Sequence, residues 1–154
     1  MLQVTLFQAK TLQIAHKIKH MEHSSSVKYS GQNLNFLAET DQFKYPVASG
    51  EAAQGPSPKK LMLTALSGCT AIDVVSTLNK MRVLFSDFTV IANATLTDDH
   101  PRIYNNVELI YRIRLNDSHR QNMERAVQLS LDKYCGVSAM FSSFCKVNLR
   151  IEYL

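Results

Sequence analysis

Charge is scarce in this sequence. Acidic and basic residues make up 19% of its 154 positions, low for a chain wetted on every side. That predicts a surface partly covered by a partner, most simply a second copy of the chain. The 17 basic and 13 acidic side chains leave a formal charge of +4, with no run of five or six lysines and arginines. Neither nucleic acid nor a membrane surface is therefore an expected partner. No apolar run reaches membrane-spanning length. Gln3, Thr5, Gln8 and Lys10 interrupt the apolar stretch a signal peptide would need, so a cytoplasmic location is expected. Three cysteines, an odd count, do not make a secreted disulfide framework. In a reducing compartment a functional cysteine pair is more often transient and catalytic than structural. Gly-rich phosphate loops, Ser/His/Asp arrangements, Cys-x-x-Cys motifs, repeats and low-complexity segments are all missing. No cofactor and no metal is expected.

What is present is a clear order of elements. Residues 1–26 read as an N-terminal arm or extension, in which Met21 could be an alternative start, and 27–154 as a single domain. Val27 to Val47 predicts strands and turns, with Phe43, Tyr45 and Val47 alternating. Ser57 is suited to cap a helix and Pro58 to open it. From Leu61 to Asn79 the sole charge is Asp73 and apolar residues cover every side, which predicts a helix buried all round. Two strands follow, Phe88-Val90-Ala92-Ala94-Leu96 and Val107-Leu109-Tyr111-Ile113-Leu115. Asn116-Asp-Ser118 opens a second helix running to about Tyr134, and Gly136 can end it. A last strand alternates through Cys145, Val147, Leu149, Ile151 and Tyr153. The order is α+β: an antiparallel sheet with two main helices packed on one face.

Two cysteines sit where packing alone explains them poorly. Cys69 lies mid-way along the uncharged helix, after Gly68, which permits close approach of another element. Asp73 follows one turn later on nearly the same face. A lone carboxylate in such a helix requires a partner, and Lys133 is the candidate. Cys135 lies where the second helix breaks and just before a possible short turn of helix, whose N-terminus would favour a thiolate. Chain spacing does not show whether the two sulfurs meet. Cys145 alternates with core residues and is assigned to packing.

The segments Gly55-Pro-Ser-Pro58, Ala65-Leu-Ser-Gly-Cys69-Thr-Ala-Ile72-Asp73-Val74-Val75 and Lys133-Tyr-Cys135-Gly-Val-Ser138, with this order of elements, resemble the OsmC/Ohr superfamily. These are the osmotically inducible protein C and organic hydroperoxide resistance proteins, and the likeness is to the OsmC-like branch. It implies an intertwined homodimer with the cysteine-bearing helices packed centrally. It also implies a thiol-dependent peroxidase of oxidative stress defence. In that cycle Cys69 is oxidised by an organic hydroperoxide, Cys135 condenses with it to a disulfide, and an external dithiol restores both. Met62, Leu66 and the Val137–Phe144 segment would wall an apolar substrate pocket.

The sequence departs from the family's pattern in three places. Lys59 follows Pro58 where an activating glutamate is usual, no arginine precedes Arg82, and Gly136 replaces the proline after the second cysteine. Lys59 lies ten residues before Cys69, about 15 Å along a helix axis. Support for the thiol then falls to Asp73, Lys133, Glu51, a helix terminus or a residue of the second subunit. A rival reading is a non-catalytic member of the fold that binds an apolar ligand or senses redox state. His16, His20 and His23 share a helical spacing that a metal would need, but flanking lysines repel a cation, so they read as surface histidines on an arm. His100 and His119 occupy turn and cap contexts.

Overall fold

A computed structural model describes residues 23–154. His16, His20 and Met21 lie outside the described residues; His23 is exposed. The chain divides at Ser57/Pro58 into two compact units.

In the first unit, β1 (Ser26–Tyr29), β2 (Leu34–Thr40) and β3 (Phe43–Ser49) form an antiparallel meander in sequence order. The Ser30-Gly-Gln-Asn33 turn works because Gly31 (φ 87°) and Asn33 (φ 49°) take left-handed backbone, which glycine and asparagine tolerate best. Asn35 is buried and clamps the following loop: its Nδ2 donates to the Ala52 carbonyl (3.2 Å) and its Oδ1 accepts from the Gln54 N–H (3.0 Å). Gly55 closes that loop where a Cβ would stand 2.7 Å from the Pro46 carbonyl oxygen. Val27, Tyr29, Leu34, Leu37 and Phe43 are exposed, an apolar display unusual for a sheet facing water on both sides.

In the second unit, α1 (Pro58–Lys80) starts at the expected proline. It ends where Arg82 turns left-handed (φ 57°) and the Val83 N–H reaches back to the Leu78 carbonyl (3.0 Å), a left-handed helix stop. β4 (Phe85–Leu96), β5 (Tyr104–Leu115) and β6 (Lys146–Tyr153) make the second sheet with β5 in the centre. Between β5 and β6 come a 3₁₀ turn (Asp117–His119), α2 (Arg120–Leu129), a π-helical turn (Ser130–Tyr134) and α3 (Gly136–Ser142). Asn116 caps this run by accepting the Ser118 N–H at 3.0 Å.

The α+β class holds, with one refinement. The first sheet and the β4–β5 pair are antiparallel, but β6 runs parallel to β5. The intervening helices carry the chain back across the sheet before it re-enters, which is the connection a parallel pair requires. Alternation reveals strands but not their direction.

The core sits between this sheet and the helices. Val107, Leu109, Tyr111 and Ile113 of β5 are fully buried on one face, against Leu66, Val74 and Leu78 of α1 and Met123, Ala126 and Val127 of α2. The opposite face of the sheet is charged, with Arg112 and Arg150 paired to Glu152, and Arg150 also reaching Glu108.

The expectation that α1 is buried all round needs correction for the single chain. Leu66, Thr70, Val74, Thr77 and Leu78 are buried, whereas Ile72 is 72% exposed and Met62 43%. One subunit packs only one stripe. Gly68, read as a point of close approach, likewise meets nothing within 4 Å of where a Cβ would stand. By length and composition α1 is also apolar enough to cross a membrane, a test that the core helix of a soluble protein passes as well. Thr, Ser and Gly residues spread through the helix conceal this when only unbroken apolar runs are sought.

Candidate functional site

Cys69 and Asp73 are four residues apart on α1 and so lie on one side of it. Cys135 reaches the same place from the other end of the unit. A regular helix through residues 120–142 would keep Cys135 on the Val127–Leu131 stripe. Instead the π turn lets the Cys135 N–H bond the Ser130 carbonyl (2.8 Å), and Cys135 leaves the helix with extended backbone (φ −78°, ψ 96°). Cys135 then caps α3 itself, its Sγ accepting the Ser138 N–H at 3.2 Å. A π turn inside a helix is often found where a functional group must be re-aimed.

The result is a cluster in which the two Sγ atoms and an Asp73 carboxylate oxygen all lie within 4.8 Å of one another. Cys135 is buried, while Cys69 and Asp73 are half-buried. Burial pushes the Cys135 thiol up to about 11; the Cys69 sulfur and the Asp73 charge add to the rise, and the Ser138 N–H opposes it.

The partner of Asp73 is Ser130, whose buried hydroxyl donates to Asp73 Oδ2 at 3.0 Å. Lys133 is exposed, with its ammonium 5.6 Å from the centre of the Tyr134 ring. Glu51 belongs to the N-terminal unit, where it is exposed. Cys145 is packed against the core just before β6, and burial raises its thiol too.

Tyr111 completes the surroundings. Its ring is wholly buried at the centre of β5, and among the described residues its hydroxyl has no hydrogen-bond partner. Thr70, Cys135 and Asp73 are its polar neighbours; the Thr70 hydroxyl lies near enough to pull the phenol down against burial, but at a geometry short of a full hydrogen bond. Burial pushes this phenol up to about 12. Neither Ser130 nor Tyr111 stood out in the sequence. Ser130 carries one faint signal, a small hydroxyl on a helix face otherwise apolar.

An apolar cleft of about 290 Å³ opens among Met62, Ile103, Tyr104 and Phe144, with Lys59 and Arg102 at its edge. Met62 and Phe144 were expected in such a wall. Leu66 instead belongs to the core.

Two thiols and a carboxylate gathered by helices over a mixed sheet define an α+β domain with a dithiol site. The chain belongs to the OsmC-like protein family, whose pattern it matches over residues 50–150. It is 32% identical over 123 residues to protein YhfA of Escherichia coli K12, spanning 79% of this chain and 90% of that protein. Its fold matches an OsmC-like protein from Mycoplasma pneumoniae with a TM-score of 0.76 at 12% identity, over 86% of this chain and 97% of the other. It also matches an organic hydroperoxide resistance protein OsmC from Legionella pneumophila, with a TM-score of 0.63 at 12% identity, over 85% and 96% of the two chains. At such identities these structures speak to the fold alone.

Proposed function

We propose that this protein is a thiol-dependent peroxidase that reduces organic hydroperoxides in oxidative stress defence, cycling Cys69 and Cys135 between dithiol and disulfide. The observation that carries this reading is the convergence of both sulfurs and the Asp73 carboxylate within 4.8 Å. Cys69, the more accessible sulfur, attacks the terminal peroxide oxygen. The O–O bond breaks, the alcohol leaves with a proton, and Cys69 becomes a sulfenic acid. Asp73, oriented by Ser130, accepts the thiol proton as attack proceeds. Cys135 then attacks the sulfenic sulfur, water departs, and a disulfide forms. An external dithiol reduces it, regenerating both thiols and leaving the reductant as a disulfide.

The division of labour follows from burial. Burial raises the Cys135 thiol to about 11, which disfavours it for the first attack on the peroxide and leaves it the second, resolving step beside Cys69. The apolar cleft beside Met62 and Phe144 suits the organic part of the substrate. In this reading the role foreseen for Lys133 passes to Ser130, which holds Asp73 directly.

The protein acts as a homodimer in the cytoplasm. Only 28% of the apolar window of α1 is buried within one chain. A groove of about 650 Å³ runs along its exposed side, lined by Ile72, Val75 and Phe88. A second copy packed there would bury that side.

Consumption of cumene hydroperoxide with a dithiol reductant tests the activity. C69S should abolish turnover, and C135S should stall at a sulfenic acid trapped by a carbon nucleophile. Equal, slow consumption by wild type and C69S would refute the peroxidase. The second reading, a non-catalytic binder of an apolar ligand, is favoured by the same cleft. It predicts retention of a fatty ligand there and no dependence of peroxide consumption on Cys69.

A further inference from the structure

We propose that the reduced site is also a binding site for a soft divalent cation of the zinc class, held by Cys69 Sγ, Cys135 Sγ and a carboxylate oxygen of Asp73. The inference goes beyond the peroxidase reading and stands without it.

The donor set comes first. Two thiolates and one carboxylate are a ligand combination that selects zinc, cadmium or cobalt over magnesium or calcium, because sulfur is a soft donor. Geometry follows. A tetrahedral zinc with metal–sulfur bonds of about 2.3 Å holds its donors about 3.5–4 Å apart. The three donor atoms here all lie within 4.8 Å of one another, so closing on an ion asks for side-chain shifts of about 1 Å or less. The donors come from two separate segments, α1 and the Cys135 cap, as in sites that form only in the folded chain.

Two further observations favour a ligand here. Ser130 donates to Asp73 Oδ2 and so fixes the carboxylate from outside, the arrangement by which neighbouring hydrogen bonds orient a metal-binding side chain. The Tyr111 hydroxyl is buried, has Thr70, Cys135 and Asp73 as polar neighbours, and makes no full hydrogen bond to any of the described residues. Three protein donors leave a fourth tetrahedral position for water, and that water is a partner for the hydroxyl. Because the ion requires both sulfurs, metal binding and the Cys69–Cys135 disulfide exclude each other. The same residues thus offer an ion a site in the dithiol state only.

Cobalt(II) titrated into the reduced full-length protein tests this without any peroxide. Thiolate-to-cobalt charge-transfer absorption should appear, saturate at one ion per chain, and be displaced by zinc. Bound zinc should shield Cys69 and Cys135, but not Cys145, from a maleimide. C69S and C135S should lose the absorption, and C145S should keep it. D73N should weaken binding at least about tenfold. Protein carrying the disulfide should show no absorption. Absence of the band in the reduced wild type overturns the proposal, and so does a band that survives in C69S and C135S or an affinity unchanged in D73N. An inactive peroxidase that still binds cobalt would sink only the peroxidase reading.

Discussion

Replacing Tyr111 with phenylalanine should make this protein more stable, against the usual direction for a buried tyrosine. The ring is wholly buried, and among the described residues its hydroxyl is bonded to nothing. Folding therefore strips a hydroxyl of water with no hydrogen bond in return, at a cost of about 1–3 kcal/mol. Y111F removes that penalty while keeping the ring's contacts with the core. Taking the low end, about 1 kcal/mol, the midpoint of thermal unfolding should rise by about 2–4 °C for a chain of this size. Tyr104 supplies the control. It too is buried, at 7% exposure, but its hydroxyl donates to the Lys59 carbonyl at 2.8 Å. Y104F should lose about 1 kcal/mol, and its midpoint should fall by a similar number of degrees. Calorimetry on the reduced, metal-free protein measures both. If Y111F falls as far as Y104F, the Tyr111 hydroxyl is satisfied in solution and does not point to a ligand at the site.

Other predictions rest on different parts of the molecule. The Cys135 thiol is raised by burial, so the folded state holds its proton more tightly than the unfolded chain does. Its contribution to stability is complete below pH about 9 and is lost as pH climbs to about 11, a loss that C135S should lack when unfolding is followed against pH. G55A should destabilise the N-terminal unit by about 1–3 kcal/mol, because its new methyl would meet the Pro46 carbonyl oxygen at 2.7 Å; a denaturation midpoint equal to wild type would contradict this. Ile72 is 72% exposed on α1, and light scattering should find wild type as the proposed dimer and I72D as a folded monomer. A variant that remains dimeric would place the interface elsewhere.

Much of the architecture could be read from short-range pattern. Ser57-Pro58 marks the start of α1, and the alternation of Val107, Leu109, Tyr111 and Ile113 marks the buried face of β5. Both are properties of neighbouring residues. The direction of β6 was not legible, because the same alternation serves either a parallel or an antiparallel strand. Cys69 and Asp73 were legible as a pair from their four-residue spacing on one helix. Their meeting with Cys135 was not, since it depends on packing between segments distant in the chain. Lys133 misled for a local reason. The lysine stands two residues before Cys135 in the chain, but the π turn changes the helical phase at Ser130. It brings the serine hydroxyl to Asp73, while the lysine lies over Tyr134 at the surface. Tyr111 was hidden by its own regularity, as one more large side chain on an alternating strand.

The convergence of Cys69 and Cys135 is tested most directly by peptide mass spectrometry of the reduced protein after one equivalent of cumene hydroperoxide. A single intramolecular Cys69–Cys135 bridge, with Cys145 still free, is the predicted product. Cys69 over-oxidised beside an untouched Cys135 thiol, or a bridge that includes Cys145, would contradict the account.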